Sequence, residues 1–312
     1  MTSAIRTESL AKTYYTGFFR KAFVGLQGLT LDVPEGTSFG FVGPNGAGKT
    51  TTIKTLMGLQ TPTGGNAFIY GVPISDPESR RRVGFMPERP YFYEHLTAGE
   101  FLDFYARLTE VPSHERGPRI TSLLERVGMA PYRNVALGKF SKGMLQRAGI
   151  AQALVNDPAL VVLDEPMSGL DPIGRALVRD IILDERKRGK TVFFSSHILS
   201  DVEAICDRVA IVVGGQLRGV GTVAELLGQT IDQVDCTFLY GADLPGTLIR
   251  REGARVTVRV QAAMVDGLID TVRAAGGKVL EIAPQTRHLE EVLLTEIERA
   301  KTVQEARLGV LA

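Results

Sequence analysis

The sequence is short of the features that would place it among secreted, membrane-spanning or nucleic-acid-coating proteins. It has only two cysteines, Cys206 and Cys236, and neither has a second ligand at metal spacing. Two such residues in 312 read as reduced thiols, not as a disulfide framework or a zinc site. No stretch approaches the ~18–20 apolar residues that a membrane span requires; the longest apolar runs, such as 159–163, have the length of buried strands. The first ten residues lack the basic-then-apolar layout of a signal peptide. Charge of one sign is also missing: the net value is +1, which argues against nucleic acid as the main ligand and against a pull toward anionic lipid. Repeats and low-complexity segments are not found.

What is present is the balance of a folded globular chain, 44% hydrophobic and 23% charged. The length suits one large domain plus an accessory. Short strands are expected over 4–10, 29–33 and 38–42, with an aromatic-rich loop over 14–23 between the first two. A helix is expected over 49–59. Residues 80–155 are mostly helical, with helices over 98–109 and 119–127; Thr97 and Glu100 form a capping box for the first. From 159 to 221, strands (160–163, 191–195, 209–213) alternate with helices, a pattern that calls for a parallel sheet covered on both faces. After residue 227 a small β/α module follows, with strands over 234–240, 255–260 and 278–282 and helices over 264–275 and 288–301.

The first chemical signal is the run Gly43, Pro44, Asn45, Gly46, Ala47, Gly48, Lys49, Thr50, Thr51, which fits G-x-x-x-x-G-K-[ST] between a strand and a helix. Glycines let successive backbone N–H groups converge on phosphate oxygens. The helix N-terminus adds partial positive charge. Lys49 should reach the β- and γ-phosphates, Thr50 should hold Mg²⁺, and Thr51 suits the α-phosphate. The second signal is an apolar strand ending in Asp164 and Glu165. Buried carboxylates are costly without a cation, so Asp164 fits a metal holder and Glu165 the base that orients water.

Further motifs bring a family into view. Phe140, Ser141, Lys142, Gly143 and Met144, followed by Gln146 and Arg147, resemble the signature of ABC-type ATPases. Ser168, Gly169, Leu170 and Asp171 are similar to their D-loop, His197 to their switch histidine, and Tyr14 to the aromatic that stacks on adenine. Tyr14 is chosen by spacing; Tyr15, Phe18 and Phe19 compete. The resemblance covers about residues 5–227 and is closest to the ABC-2 type exporter ATPases, whose membrane subunit is a separate chain. It implies a P-loop NTPase core, α/β with a mostly parallel sheet, an antiparallel β subdomain and a helical subdomain over about 88–155. The nucleotide-binding domain is then 1–227, and 228–312 a small C-terminal α+β accessory or regulatory domain.

The resemblance also implies ATP and Mg²⁺ as cofactors and a head-to-tail dimer, homodimer or paired subunits, with ATP at the interface. Ser141 and Gly143 would face the partner's γ-phosphate, His197 would bond the γ-phosphate, and Asp171 would couple the two sites. A separate transmembrane permease is the implied partner, contacted through aromatics such as Tyr91, Phe92 and Tyr93, which places the chain peripherally on the cytoplasmic face of the membrane. The alternative is a soluble ABC-type ATPase acting on a non-membrane macromolecule. Two departures stand out. Glu88 replaces the usual glutamine after the strand 83–86, where it can still ligate metal, and Lys142 stands in the signature, either near the partner's ATP or solvated. The C-terminal module has no catalytic motif; dimer contact, partner docking and regulation are all open to it.

Overall fold

The structure, a computed structural model, describes residues 2–16, 21–228, 233–285 and 288–309. It divides into two compact units, one of residues 1–226 with 292–312, the other Leu227–Glu291. The second unit therefore stops short of the expected end at 312, because the last helix, Leu289–Gly309, groups from Val292 onward with the first.

The first unit is built on a six-stranded sheet. Its order is Gln216–Gly221, Arg208–Val213, Ser38–Val42, Thr191–Ser196, Leu160–Leu163, Val83–Met86. All neighbours pair in parallel except the first two, which are antiparallel. Sequences such as Ser38–Val42 and Leu160–Leu163 are apolar at nearly every position and buried throughout, as strands covered on both faces must be. A second sheet is antiparallel, in the order Lys21–Pro34, Ser3–Thr16, Gly64–Ile69, Val72–Pro73. Much of the aromatic loop expected over 14–23 is strand in the structure: the ladder continues through Tyr14↔Phe23 to Thr16↔Lys21. Phe18 and Phe19 lie outside the described residues. A shared core joins the two sheets, with Leu10, Leu29 and Ile69 from one meeting Phe39, Phe41 and Phe193 from the other.

The helical part carries Ala98–Leu108, Ser113–Arg126 and Lys142–Ala153. The Thr97 capping box forms as expected, with the Thr97 N–H and the Glu100 carboxylate 2.9 Å apart. The second helix starts six residues before the expected 119, because it tolerates Pro118 near its N-terminal end at the cost of one ladder bond. In the second unit an antiparallel sheet, Thr247–Glu252, Arg255–Gln261, Gln233–Leu239, Lys278–Pro284, packs one face on the helix Val265–Ala274. Val234, Cys236, Phe238, Val256, Val258 and Val260 alternate into that core with Leu268 and Val272.

Within the first unit the helical part is tied to the core by a buried ion cluster. Glu185, 1% exposed, receives Arg126 at 2.5 Å, Lys190 at 3.0 Å and Arg188 at 3.1 Å. Burial raises its pKa, but the hydrogen bonds and charges of Arg126 and Lys190 outweigh it and hold the carboxyl below its ordinary value. Glu185→Ala removes the carboxylate that the three cations share, while Arg126 keeps Asp184 at 2.8 Å and Arg188 and Lys190 keep Asp157, so unfolding in urea should show a loss of about 1–3 kcal/mol. The folded-state pKa is depressed. The wild-type advantage should therefore be complete above the unfolded value, about 4.3, and shrink as pH falls through the depressed one.

Candidate nucleotide site

Three parallel strands deliver their chemistry to one edge of the sheet. Ser38–Val42 runs into the glycine loop, Leu160–Leu163 into Asp164 and Glu165, and Thr191–Ser196 into His197. The pairs Val42↔Ser196 and Leu163↔Phe194 keep those ends level. They open on a cavity of about 430 Å³ lined by the loop 44–51 together with Phe23, Gly25, Glu88, Glu165, Ser168 and His197. Two loop glycines are required sterically: a Cβ on Gly43 would lie 2.1 Å from the Val212 carbonyl oxygen. On Gly48, at φ +101°, it would lie 2.6 Å from that of Gly25.

The polar groups are already knitted together. Lys49 donates to the Gly43 carbonyl at 2.7 Å and lies 3.3 Å from Glu165 Oε1. His197 Nδ1 is 2.6 Å from Glu165 Oε2. Thr50 Oγ1 donates to Asp164 Oδ1 at 3.3 Å, and Ser195 Oγ to the same oxygen at 2.6 Å. Burial, then the charges of Glu165 and Glu88, raise the Asp164 pKa against those hydrogen bonds. A buried carboxylate with two acidic neighbours and a threonine hydroxyl is an all-oxygen donor set short of positive charge. That chemistry fits a hard divalent cation such as Mg²⁺.

Other expected residues lie apart from this cavity. Ser141 caps Lys142–Ala153, accepting from the Met144 N–H at 3.3 Å, and Asp171 caps Pro172–Lys187, accepting from the Gly174 N–H at 2.8 Å. With Gly143, Gly169, Leu170 and Ile173 they line a separate cavity of about 330 Å³. Lys142, left open by the sequence, lies across its own D-loop: a Cβ on Gly169 would meet its Nζ at 2.6 Å. Tyr14 does not line the phosphate cavity; its hydroxyl donates to Gln60 Oε1 at 2.8 Å and lies 3.2 Å from Thr51 Oγ1. The aromatic that lines the cavity is Phe23, 59% exposed and 6.4 Å from the Tyr14 ring. Sequence reasoning gave Ser195 no role and took Gln146 only as part of the signature motif; both are buried polar side chains. Their burial among hydrophobic neighbours is the signal that could have found them.

A glycine cradle at a helix N-terminus, with an acidic strand end beside it, defines a P-loop nucleotide hydrolase. Residues 26–168 match the ABC transporter family. An uncharacterized ABC transporter ATP-binding protein of Nostoc sp. is 41% identical over 96% of this chain and 91% of its own. A fluoroquinolones export ATP-binding protein of Mycobacterium tuberculosis is 37% identical over 72% of this chain and 73% of its own. The solved structure of an ATP-binding subunit of an ABC transporter superposes with TM-score 0.64 at 30% identity, covering 72% of this chain and 91% of that one. The chain belongs to the ABC transporter family, as an ATP-binding subunit with ATPase chemistry.

The cavity lining gives an expected outcome. Phe23→Ala should weaken binding of a fluorescent ATP analogue about 10-fold, within the ~1–3 kcal/mol typical of base stacking on an aromatic ring. Tyr14→Phe keeps the ring and drops the hydroxyl, and should cost less than about threefold by the same titration. A loss for Tyr14→Ala with none for Phe23→Ala would put the base on Tyr14.

Proposed function

We propose that this chain is the energy subunit of an exporter: it hydrolyses Mg-ATP in a head-to-tail dimer and drives a separate membrane-embedded partner. The observation that carries the reading is the separation of the two cavities. Ser141, Gly143 and Asp171 line one, while the phosphate loop, Glu165 and His197 line the other. A second ATPase unit, turned head to tail, brings its Ser141, Gly143 and helix N-terminus to the γ-phosphate held by the first. The naming of a relative as an export ATP-binding protein supports the direction of transport.

In this reading Lys49 and the loop amides, with Tyr14 or Phe23 on the base, hold the nucleotide. Thr50, Asp164 and Glu88 hold Mg²⁺, which when bound neutralises phosphate charge. Phosphate oxygens then replace the Gly43 carbonyl and Glu165 as the partners of Lys49. That frees the Glu165 carboxylate to accept a proton from the attacking water, while His197 bonds the γ-phosphate from beside it. Asp171, next to the signature residues, couples one site to the other.

Among the described residues no helix is long and apolar enough to cross a membrane. Tyr91, 83% exposed, stacks edge-on with Tyr93, which meets the half-exposed Phe104. Phe101 beneath them is core. This aromatic surface offers the partner a contact rich in the residues that carry binding energy.

Glu165→Gln should lower ATP hydrolysis at least about 100-fold while leaving nucleotide binding intact. With Mg-ATP it should shift to a dimer in size-exclusion chromatography, and Ser141→Arg in the same background should keep it monomeric. A Glu165→Gln protein that stays monomeric at saturating ATP, or still hydrolyses at the wild-type rate, would sink the reading. Co-purification with a multi-span membrane protein separates the exporter from a soluble ATPase acting on a non-membrane macromolecule.

A further inference from the structure

Glu165 sits on strained backbone. Its φ is +52°, in the left-handed region that few non-glycine residues occupy. Such a conformation persists only where the surroundings over-determine it. Here two buried side chains hold the turn from opposite sides. Ser195, fully buried, accepts from the Glu165 N–H at 2.9 Å and donates to Asp164 Oδ1 at 2.6 Å, so one hydroxyl uses both of its functions. Gln146, 5% exposed, donates through Nε2 to the Pro166 carbonyl at 3.0 Å and to that of Glu165 at 3.3 Å. The Glu165 carbonyl also accepts from the Ser168 N–H at 3.2 Å, so the Pro166 carbonyl depends more on Gln146 than that of Glu165 does.

The two holders come from different parts of the unit. Ser195 belongs to the central strand Thr191–Ser196, whereas Gln146 lies on Lys142–Ala153, the helix that Ser141 caps. We infer that Ser195 and Gln146 are positioning residues that clamp the Glu165 backbone from both sides and aim its carboxylate into the phosphate cavity. Gln146 thereby ties the signature helix to the hydrolytic turn of its own chain. A displacement of that helix on engaging a partner's nucleotide reaches the chain's own Glu165 through two hydrogen bonds. The inference rests on the proposed role of Glu165 as the base.

Isosteric pairs test it. Ser195→Thr keeps the hydroxyl and Ser195→Val removes it at equal volume; Gln146→Glu keeps the shape and removes the donor. Steady-state ATPase kinetics, titration with a fluorescent ATP analogue, and amide hydrogen exchange of the segment 163–168 are measured on the full chain. An unsatisfied buried donor or acceptor costs about 1–3 kcal/mol, enough for roughly a 10- to 100-fold fall in turnover once the turn drifts. Ser195→Val and Gln146→Glu should lower kcat by about that factor with KM and nucleotide affinity within about twofold. Both should speed exchange of the Glu165 amide about 10-fold or more. Ser195→Thr should retain most of the wild-type kcat.

Equal kcat for the Val and Thr variants, with Gln146→Glu at the wild-type rate, overturns the inference. So does a rise in KM with kcat unchanged. If the position 195 variants do not fold, Gln146→Glu decides alone, because exchange and turnover at wild-type values contradict the clamp. Glu165→Gln separates this from the underlying reading: hydrolysis surviving in that variant refutes the base, whereas its loss with unaltered Val and Glu variants refutes only the clamp.

Discussion

The structure depends on the register of its parallel sheet. A slip of one residue would exchange the two buried faces of a strand and move every side chain into space packed around another. Phe39, Phe41, Val162 and Phe193 lock that register from within the core. The consequence is chemical: a glycine loop, two carboxylates and a histidine from three distant parts of the chain leave the sheet at the same edge. Ligands of open α/β sheets gather outside the carboxyl ends of the strands for this reason. Neither the cradle nor the acidic turn is a site without the other.

Charge then decides what the edge can do. Lys49 stands between the loop carbonyls and Glu165, and Glu165 between Lys49 and His197, so the cation and the acid satisfy one another. Asp164 is less well served: burial and two neighbouring carboxylates press against its ionised form. Glu88, in place of an amide, sharpens that pressure. The site is thus acid-rich around Asp164 and cationic at Lys49, the polarity that the proposed Mg-nucleotide would require.

The parts legible in the sequence were those whose chemistry is local. The glycine loop, the acidic strand end and the Thr97 cap each state their requirement within a few residues. The buried strands announced themselves as apolar runs. Thr247–Glu252 did not, because it is exposed along its whole length and has no alternation to read. The hairpin strands through Tyr14 and Phe23 were masked by aromatic residues that suit loop and ladder alike. The roles of Ser195 and Gln146 were silent for another reason: their partners, backbone atoms of Glu165 and Pro166 and the Asp164 carboxylate, lie 19 to 31 positions away, set by packing and not by pattern. Phe23 over Tyr14 as the cavity lining likewise follows from the pairing across a hairpin, which spacing along the chain does not reveal.

The approach of Lys142 to Gly169 makes the two loop motifs share one space. Read along the chain, a lysine in one motif and a glycine in another are separate choices. In space the lysine lies where a side chain at 169 would go, and the backbone there, at φ +72°, already favours glycine. A change at either place alters the room available to the other. A side chain at 169 would have to displace the end of Lys142, and a shorter residue at 142 would leave that space open.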